Sequence, residues 1–296
     1  MACVEGMSPH PQSEPCPVCQ HAMSSGVVDW HQLCEGCGYE SSSLLPTINA
    51  EASAQALNEA SRAVGLKAVR QVNFSMLLDA LRPILPAGRL LDVGCAHGWF
   101  LELAGRRYET LGVEPDRQVS EFAMARGLPV REGFFPDDLK QEETFDVIVF
   151  NDVIEHIPAI SGVLDACRDR LNSGGVLVLN LPSSRGIFYQ IATTLARLGL
   201  GASFERLWQK DMPSPHVHYF DPKTLKSLVE RHGFTEVRQG TLPTLVYAGL
   251  YSRIAYAGGS PVIHGIKALV ISMMIPFLGI LPADIMFAMY RRDARE

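Results

Sequence analysis

The sequence predicts an α/β fold, a parallel sheet wound on both faces, with a small cysteine-bearing module ahead of it and an apolar helical segment behind. Three observations point there. From residue 89 strand-like and helix-like stretches alternate, four cysteines near the N-terminus stand in two Cys-x-x-Cys pairs, and residues 241–290 carry only Arg253, Lys267 and Asp284 as charges. The 296 residues, 47% hydrophobic, suffice for one large α/β domain and a small accessory module.

Residues 1–14 read as a flexible N-terminus. "MACVEGMSPHPQSEP" has no basic region followed by an apolar core, so no signal peptide is expected and a reducing, cytoplasmic setting is the default. The module follows at 15–45, in "CPVCQHAMSSGVVDWHQLCEGCGYE". Cys16 and Cys19, then Cys34 and Cys37 after fourteen intervening residues, supply four thiolates for a tetrahedral Zn2+, and Pro17, Gly36 and Gly38 suit the tight turns of two knuckles. The gap is one residue below the commonest window. A redox pair or chance clustering is the plainer reading, and the doubled spacing tells against it. A closed four-thiolate site has no open position, so a structural zinc ribbon is expected. His21 and His31 then become surface residues, and Cys3, Cys95 and Cys167 free thiols.

Residues 46–86 are rich in Ala and Leu at helical apolar spacing, broken at Pro83 and Pro86, and read as a helical connector. The core at 87–240 then alternates. Strand "RLLDVG" leads to a helix from about Trp99, strand "TLGVE" to helix "RQVSEFAMARG", and short strand "LPVRE" to strand "FDVIVFN". A helix from about Ile160 and strand "GGVLVLNL" follow, and Asp221 with Pro222 open the helix "DPKTLKSLVERHGF" as N-cap and first helical residue. Such alternation places ligands outside the carboxyl ends of the parallel strands. Residues 241–296 end the chain as an apolar helical insert or lid and a last strand, "IMFAMYRR".

At that carboxyl edge lies "LLDVGCAHGWFLELA", a buried strand, a turn that Gly94 and Gly98 keep free of side chains, and a helix whose start offers unpaired N–H groups. Asp92 precedes the turn, and Glu114 ends the next strand twenty-two residues on, where an acid can accept hydrogen bonds from ribose hydroxyls. Dinucleotide folds share that arrangement. Their G-x-G-x-x-G is absent, since Ala96 sits in the middle of G-C-A-H-G, and no pyrophosphate cradle is evident. Taken singly, Asp92 caps a turn and Glu114 with Asp116 starts a helix. Their joint placement at adjacent strand ends favours a bound cofactor.

These stretches resemble the class I S-adenosylmethionine-dependent methyltransferases. "LLDVGCAHGWFLELA" looks like the family's first motif, "LGVEPD" like its acidic ribose-binding motif and "FDVIVFNDVIEHIP" like its fourth-strand motif, in family order, over roughly residues 65–240. The resemblance implies a Rossmann-like, seven-stranded, mostly parallel sheet whose final strand is antiparallel, with S-adenosyl-L-methionine across the ends of strands one, two and four. It also implies that the backbone of Gly94, Cys95, Ala96 and Gly98 lines the methionine part, that Asp92 orders the turn, and that Glu114, followed by Pro115, takes the ribose. Asn151, Asp152 and Val153 would flank the amino group and sulfur. Ala96 departs from the commonest glycine. Phe134 and Phe135 follow Gly133 where many members have an acid for the adenine amine, leaving an aromatic to stack on the base.

Methyl transfer from a sulfonium requires alignment of the reactants and, for a hydroxyl acceptor, a base. Three histidines are candidates: His156 in "NDVIEHIP", and His216 and His218 in "SPHVHYFDPKTL", the last a stretch that forms a wall of the acceptor pocket in related methyltransferases. Each reads equally well as a loop-holding residue, and His216 with His218 show no third ligand for a catalytic metal. The best uninterrupted apolar stretch, Ala268–Ala283, is sixteen residues long and contains Pro276, Gly279 and Pro282, short of a membrane span. A lid or dimer face is the first reading of 241–283, and contact with a membrane surface the second.

The leading expectation is an enzyme acting on a small-molecule acceptor, lipid-linked or otherwise apolar: O-methylation of a sugar or glycolipid, or of a phenolic or quinone precursor. A methyltransferase of RNA or protein that reads its substrate with the zinc ribbon competes. The net charge of −6 and the lack of any Lys or Arg between Cys16 and Cys37 tell against phosphate-rich partners. A non-enzymatic scaffold is the third reading.

Overall fold

The computed structural model describes residues 15–47, 55–255 and 260–294; the expected flexible segment 1–14, and Cys3 with it, lie outside them. A small sheet comes first, with β1 at Ser24–Ser25, β2 at His31–Leu33 and β3 at Glu40–Ser42. Helix α1, Gln55–Leu81, forms within the segment read as a connector and ends just before Pro83, as its proline spacing predicts.

The main sheet is built from β4 (Arg89–Val93), β5 (Glu109–Glu114), β6 (Val130–Glu132), β7 (Phe145–Asn151), β8 (Leu171–Pro182), β10 (Phe234–Leu242) and β11 (Ile285–Arg292). Its spatial order is β10-β11-β8-β7-β4-β5-β6, and β11 runs antiparallel between β8 and β10 while β4 to β8 are parallel. The seven-stranded, mostly parallel sheet with an antiparallel final strand is the predicted one. Helices α2 (Trp99–Ala104), α3 (Arg117–Ala125), α4 (Ile160–Arg170) and α7 (Pro222–Arg231) connect its strands. Asp221 caps α7 as predicted, accepting from the backbone N–H groups of Lys223 and Thr224.

Alternation of side chains explains the near-continuous apolar runs. Val147 and Val149 of β7 with Val176 and Val178 of β8 pack towards Phe74, Leu77 and Leu81 of α1 and Phe100 of α2. Ile148 and Phe150 with Leu177, Leu179 and Leu181 face the opposite way, onto Leu164 and Cys167 of α4 and Leu225 and Leu228 of α7. Both faces are buried, so both parities must be apolar.

Two helices absent from the expectation follow β8, α5 at Ile187–Arg197 and α6 at Ala202–Leu207. They lead to β9, His218–Tyr219, which pairs antiparallel with β3 and extends the small sheet to four strands. The cysteine module is therefore sewn onto the core. Trp30 packs against Phe204 and Trp208, and Arg231 of α7 donates to the carbonyl oxygen of Val18 at 2.7 Å. His31, expected on the surface, is buried: its Nδ1 accepts from Val27 N–H and its Nε2 bonds the Glu40 carboxylate at 2.9 Å, because the module has a protein face as well as a solvent face. His21 is exposed as expected.

The C-terminal insert holds α8 (Leu250–Ala255) and α9 (Pro261–Leu278). α9 is 18 residues long with mean hydropathy 1.7, so by length and composition it can cross a membrane. The uninterrupted apolar stretch is sixteen residues, and the helix reaches 18 because it starts seven residues before Ala268, takes in Lys267 and runs on through Pro276 to Leu278. Val262, Ile266, Leu269, Met273 and Phe277 line one exposed face of it, while His264 is buried against the opposite side.

Candidate active site

The chain leaves β4 for β5 on one side and, after β6, returns to β7 on the other, so the carboxyl ends of β4 and β7 flank a topological switch point where α/β sheets bind ligands. Asp92 pairs with Val149 across that gap, and the glycine turn stands at its mouth. Gly94 and Gly98 have φ of +66° and +74°, and Ala96, between them, also adopts a positive φ of 45°. A Cβ at Gly94 would stand 2.6 Å from Cγ2 of Val153, so the glycine lets the end of β7 close against the turn.

Four of the turn's N–H donors are spent inside the protein. Gly94 and Cys95 N–H groups donate to the Val113 carbonyl, Gly98 N–H to that of Cys95, and Ala96 N–H to the Glu114 carboxylate at 2.8 Å. The other Glu114 oxygen accepts from Asp116 N–H at 2.9 Å. The sequence expectation of open N–H groups is thereby corrected at these positions, and loop ordering, assigned to Asp92, falls to Glu114. Asp92 instead accepts from Asn151 Nδ2 at 3.3 Å and is fully buried, and burial pushes its carboxyl up to about 8. Asn151 Oδ1 is buried with no hydrogen-bond partner. A site with acidic side chains, consumed donors and an orphaned acceptor suits a cationic ligand rather than a pyrophosphate.

The residues present fit S-adenosylmethionine in their chemistry: the buried Asp92 carboxyl, the Glu114 carboxylate and the unpartnered Asn151 oxygen are acceptors suited to a ligand that carries an ammonium group and ribose hydroxyls. Phe134, at the end of β6, is half exposed, and its N–H is held by Asp138 at 2.7 Å. Phe135 packs against Phe150 instead.

The histidines fall on two sides of one wall. A 3-10 turn, Ile154–His156, follows β7, and His156 N–H donates to the Val153 carbonyl. His156 Nδ1 lies 2.9 Å from the Pro215 carbonyl and must donate to it, which leaves the lone pair on Nε2. Its ring meets that of His216 with centroids 4.6 Å apart. His218 is different. Its Nε2 donates to the Ile157 carbonyl at 2.9 Å and its Nδ1 accepts from the Tyr39 hydroxyl, and burial pushes it down to about 4, so it is neutral and pinned. Sequence reasoning missed Glu155, which is 1% exposed with neither carboxylate oxygen hydrogen-bonded. Burial raises its carboxyl well above the usual range. The available signal was an acid next to His156 within a stretch that also holds Val153, Ile154 and Ile157.

The four cysteine sulfurs converge: Cys16 and Cys37 are 3.6 Å apart, Cys19 and Cys34 3.3 Å, and all lie within 4.8 Å of one another. Four sulfurs about 2.3 Å from Zn2+ stand ~3.8 Å apart, so the cluster fits zinc. Cys95 and Cys167 are free and buried.

A family model described as a methyltransferase domain matches residues 52–239. The chain is 24% identical over 160 residues to the human mitochondrial ubiquinone biosynthesis O-methyltransferase, covering 50% of this chain and 41% of that protein. It is 32% identical over 108 residues to trans-aconitate 2-methyltransferase of Rhizobium rhizogenes, covering 34% and 41%. The chain thus spans about two fifths of the length of these curated relatives. Among solved structures, a SAM-dependent methyltransferase of Thermotoga maritima superposes with a TM-score of 0.51 at 18% identity, over 80% of this chain and 96% of that one. A chain in the Haloferax volcanii complex of the Trm112 methyltransferase activator superposes with a TM-score of 0.55 at 11% identity, over 81% and 97%.

Proposed function

We propose, from the premise that this chain belongs to the methyltransferase-domain family and is a SAM-dependent methyltransferase, that it methylates a hydroxyl of a small, apolar or lipid-linked acceptor. The division into a zinc-bearing module at 15–45, a connector at 46–86, a cofactor-binding core at 87–240 and an apolar insert at 241–296 belongs to this proposal. Within it Gly94, Cys95, Ala96 and Gly98 form the floor of the cofactor site, Asp92, Asn151, Asp152 and Val153 face its methionine end, and Glu114 with Pro115 the ribose.

When bound, S-adenosylmethionine supplies an electrophilic methyl on a sulfonium. The observation that carries the hydroxyl reading is the position of His156, one 3-10 turn beyond the residue that touches the glycine turn, with a lone pair on Nε2 set by the Pro215 carbonyl. That nitrogen takes the acceptor's proton as the oxygen is alkylated. His216 packs beside it, and His218 holds the wall. The similarity to a ubiquinone biosynthesis O-methyltransferase supports a phenolic or quinone-precursor acceptor ahead of a sugar or glycolipid.

The apolar insert extends the reading to location. α9 presents an outward face without charge except Lys267, and the loop after it touches α5, where Ile187 N–H donates to the Pro282 carbonyl. Phe188 and Ile191 of α5 and Ile280 and Leu281 continue the exposed apolar surface. Such a surface suits shallow insertion into a bilayer that holds the acceptor. The test is turnover of dihydroxybenzenes carrying short or polyprenyl tails, against sugars and against RNA, by S-adenosylhomocysteine release. Methylation of the prenylated phenol, lost in His156→Ala with cofactor affinity kept, is expected. Turnover of RNA alone, or of an amine alone, would contradict the reading.

A further inference from the structure

The described residues bring Glu155, His156 and His216 together outside the cysteine cluster, and their donor atoms lie within 4.8 Å of one another. The three come from different elements. Glu155 and His156 sit on the turn after β7, and His216 arrives from the segment before β9. The position is fixed from several sides: Val217 N–H donates to the Glu155 carbonyl at 2.8 Å, His216 N–H to the Trp208 carbonyl at 3.0 Å, and Ser42 Oγ of the cysteine module to the His216 carbonyl at 2.8 Å. A built site of this rigidity is what precise ligation needs.

The polar bookkeeping of Glu155 calls for a cation. A carboxylate that is 1% exposed and lacks a hydrogen-bond partner on either oxygen is costly, and its nearest basic atom is His156 Nε2 at 3.9 Å from Oε1. His156 is already oriented as metal-ligating histidines are, since Nδ1–H donates to the Pro215 carbonyl and Nε2 holds the lone pair. Gln209 Nε2 lies 2.8 Å from His216 Nε2; an amide flip brings its oxygen to that nitrogen to accept from Nε2–H, and His216 then offers Nδ1.

We propose that Glu155, His156 and His216 bind a first-row divalent cation, of which Zn2+ fits best, with a fourth position open beside the cofactor turn. Two imidazoles select against Mg2+ and Ca2+, which take oxygen ligands, and three protein ligands with an open place are the pattern of catalytic rather than structural zinc. Ligand atoms about 2.0–2.1 Å from Zn2+ stand ~3.4 Å apart, so the three side chains draw in by about an ångström on binding. The metal site stands on its own geometry. What its open position does rests on the methyltransferase reading: a bound cation would take the acceptor's oxygen and lower that hydroxyl's pKa, the proton passing to solvent, and the oxygen then bonds the methyl carbon as the carbon–sulfur bond breaks and S-adenosylhomocysteine leaves; His156 Nε2, a ligand in that state, is the base only in the metal-free protein.

The test is metal content of the full chain after equilibration with micromolar ZnCl2, alongside Co2+ spectra and calorimetric binding of S-adenosylmethionine on the same samples. Two Zn2+ per chain are expected in the unsubstituted protein and one in Glu155→Gln and in His216→Ala. In Co2+-loaded protein the second equivalent should add visible ligand-field bands without the near-ultraviolet thiolate band of the cysteine site. One Zn2+ per chain in the unsubstituted protein overturns the proposal, whether or not the variants fold. Two Zn2+ that persist in folded Glu155→Gln and His216→Ala also overturn it. If S-adenosylmethionine binds and the second metal does not, the metal inference fails alone; if the metal binds and the cofactor does not, the methyltransferase reading of this site fails alone.

Discussion

Glu114 joins the two strand ends that make the cofactor turn, and removing it should undo both fold and affinity. Its carboxylate accepts from Ala96 N–H at 2.8 Å and Asp116 N–H at 2.9 Å, and it is 8% exposed. A hydrogen bond to a charged group contributes ~1.5–3 kcal/mol. In Glu114→Ala both acceptors vanish, and water entering the vacated space replaces part of what is lost, so a net cost of ~3 kcal/mol follows. At ~2–4 °C per kcal/mol for a chain of this size, Tm falls by ~6–12 °C. The same ~3 kcal/mol needed to rebuild the turn before binding weakens S-adenosylmethionine by ~100-fold. Glu114→Gln keeps one acceptor and presents an NH2 to the other N–H, so it should fall between. Thermal melts and calorimetric titrations of the three proteins decide the matter. Glu114→Ala with unchanged Tm and cofactor affinity within twofold of the parent would refute the reasoning.

Gly94→Ala should destabilise by ~3 kcal/mol in urea unfolding, from a positive φ (~1–2 kcal/mol) and a Cβ 2.6 Å from Val153, with partial recovery in the double variant with Val153→Ala. For Asp92 the folded pKa of about 8 lies above the ordinary 3.8, so the folded state binds a proton that the unfolded state has released, and stability falls as pH rises across that window. Melts of Asp92→Asn from pH 4 to 9 should lack that decline, and a cationic cofactor should drive proton release on binding at pH 7, read from titrations in two buffers of different ionisation enthalpy. Cys34→Ser should lose the cysteine-site zinc and, because β3 pairs with β9, speed hydrogen exchange at Val217–Phe220 while the glycine turn stays protected.

The sheet was legible because its strands are buried on both faces: "FDVIVFN" and "GGVLVLNL" leave no room for another period. The turn was legible because Gly94, Gly98 and the two acids sit at adjacent strand ends. What could not be read were consequences of distant contacts. Whether Ala96 N–H faces a ligand depends on Glu114, eighteen residues on, and His31 is buried only because α6 and Trp208 cover it. The contact between Tyr39 and His218 spans 179 residues and turns a candidate base into a pinned brace. The burial of Glu155 was not legible because its neighbours in sequence, Ile154 and His156, do not reveal that the segment before β9 closes over the turn. α5 lay open in "IFYQIATTLAR", whose apolar residues recur at helical spacing. The length of α9 was not legible because the helix begins at Pro261, ahead of Lys267, and continues through Pro276.

The most direct test of the central claim is calorimetric titration of the folded, zinc-loaded chain with S-adenosylmethionine. The acidic turn between β4 and β7 predicts one site with micromolar affinity, weakened by Glu114→Ala. A folded sample that takes up no S-adenosylmethionine, or binds it equally well without Glu114, would contradict the account.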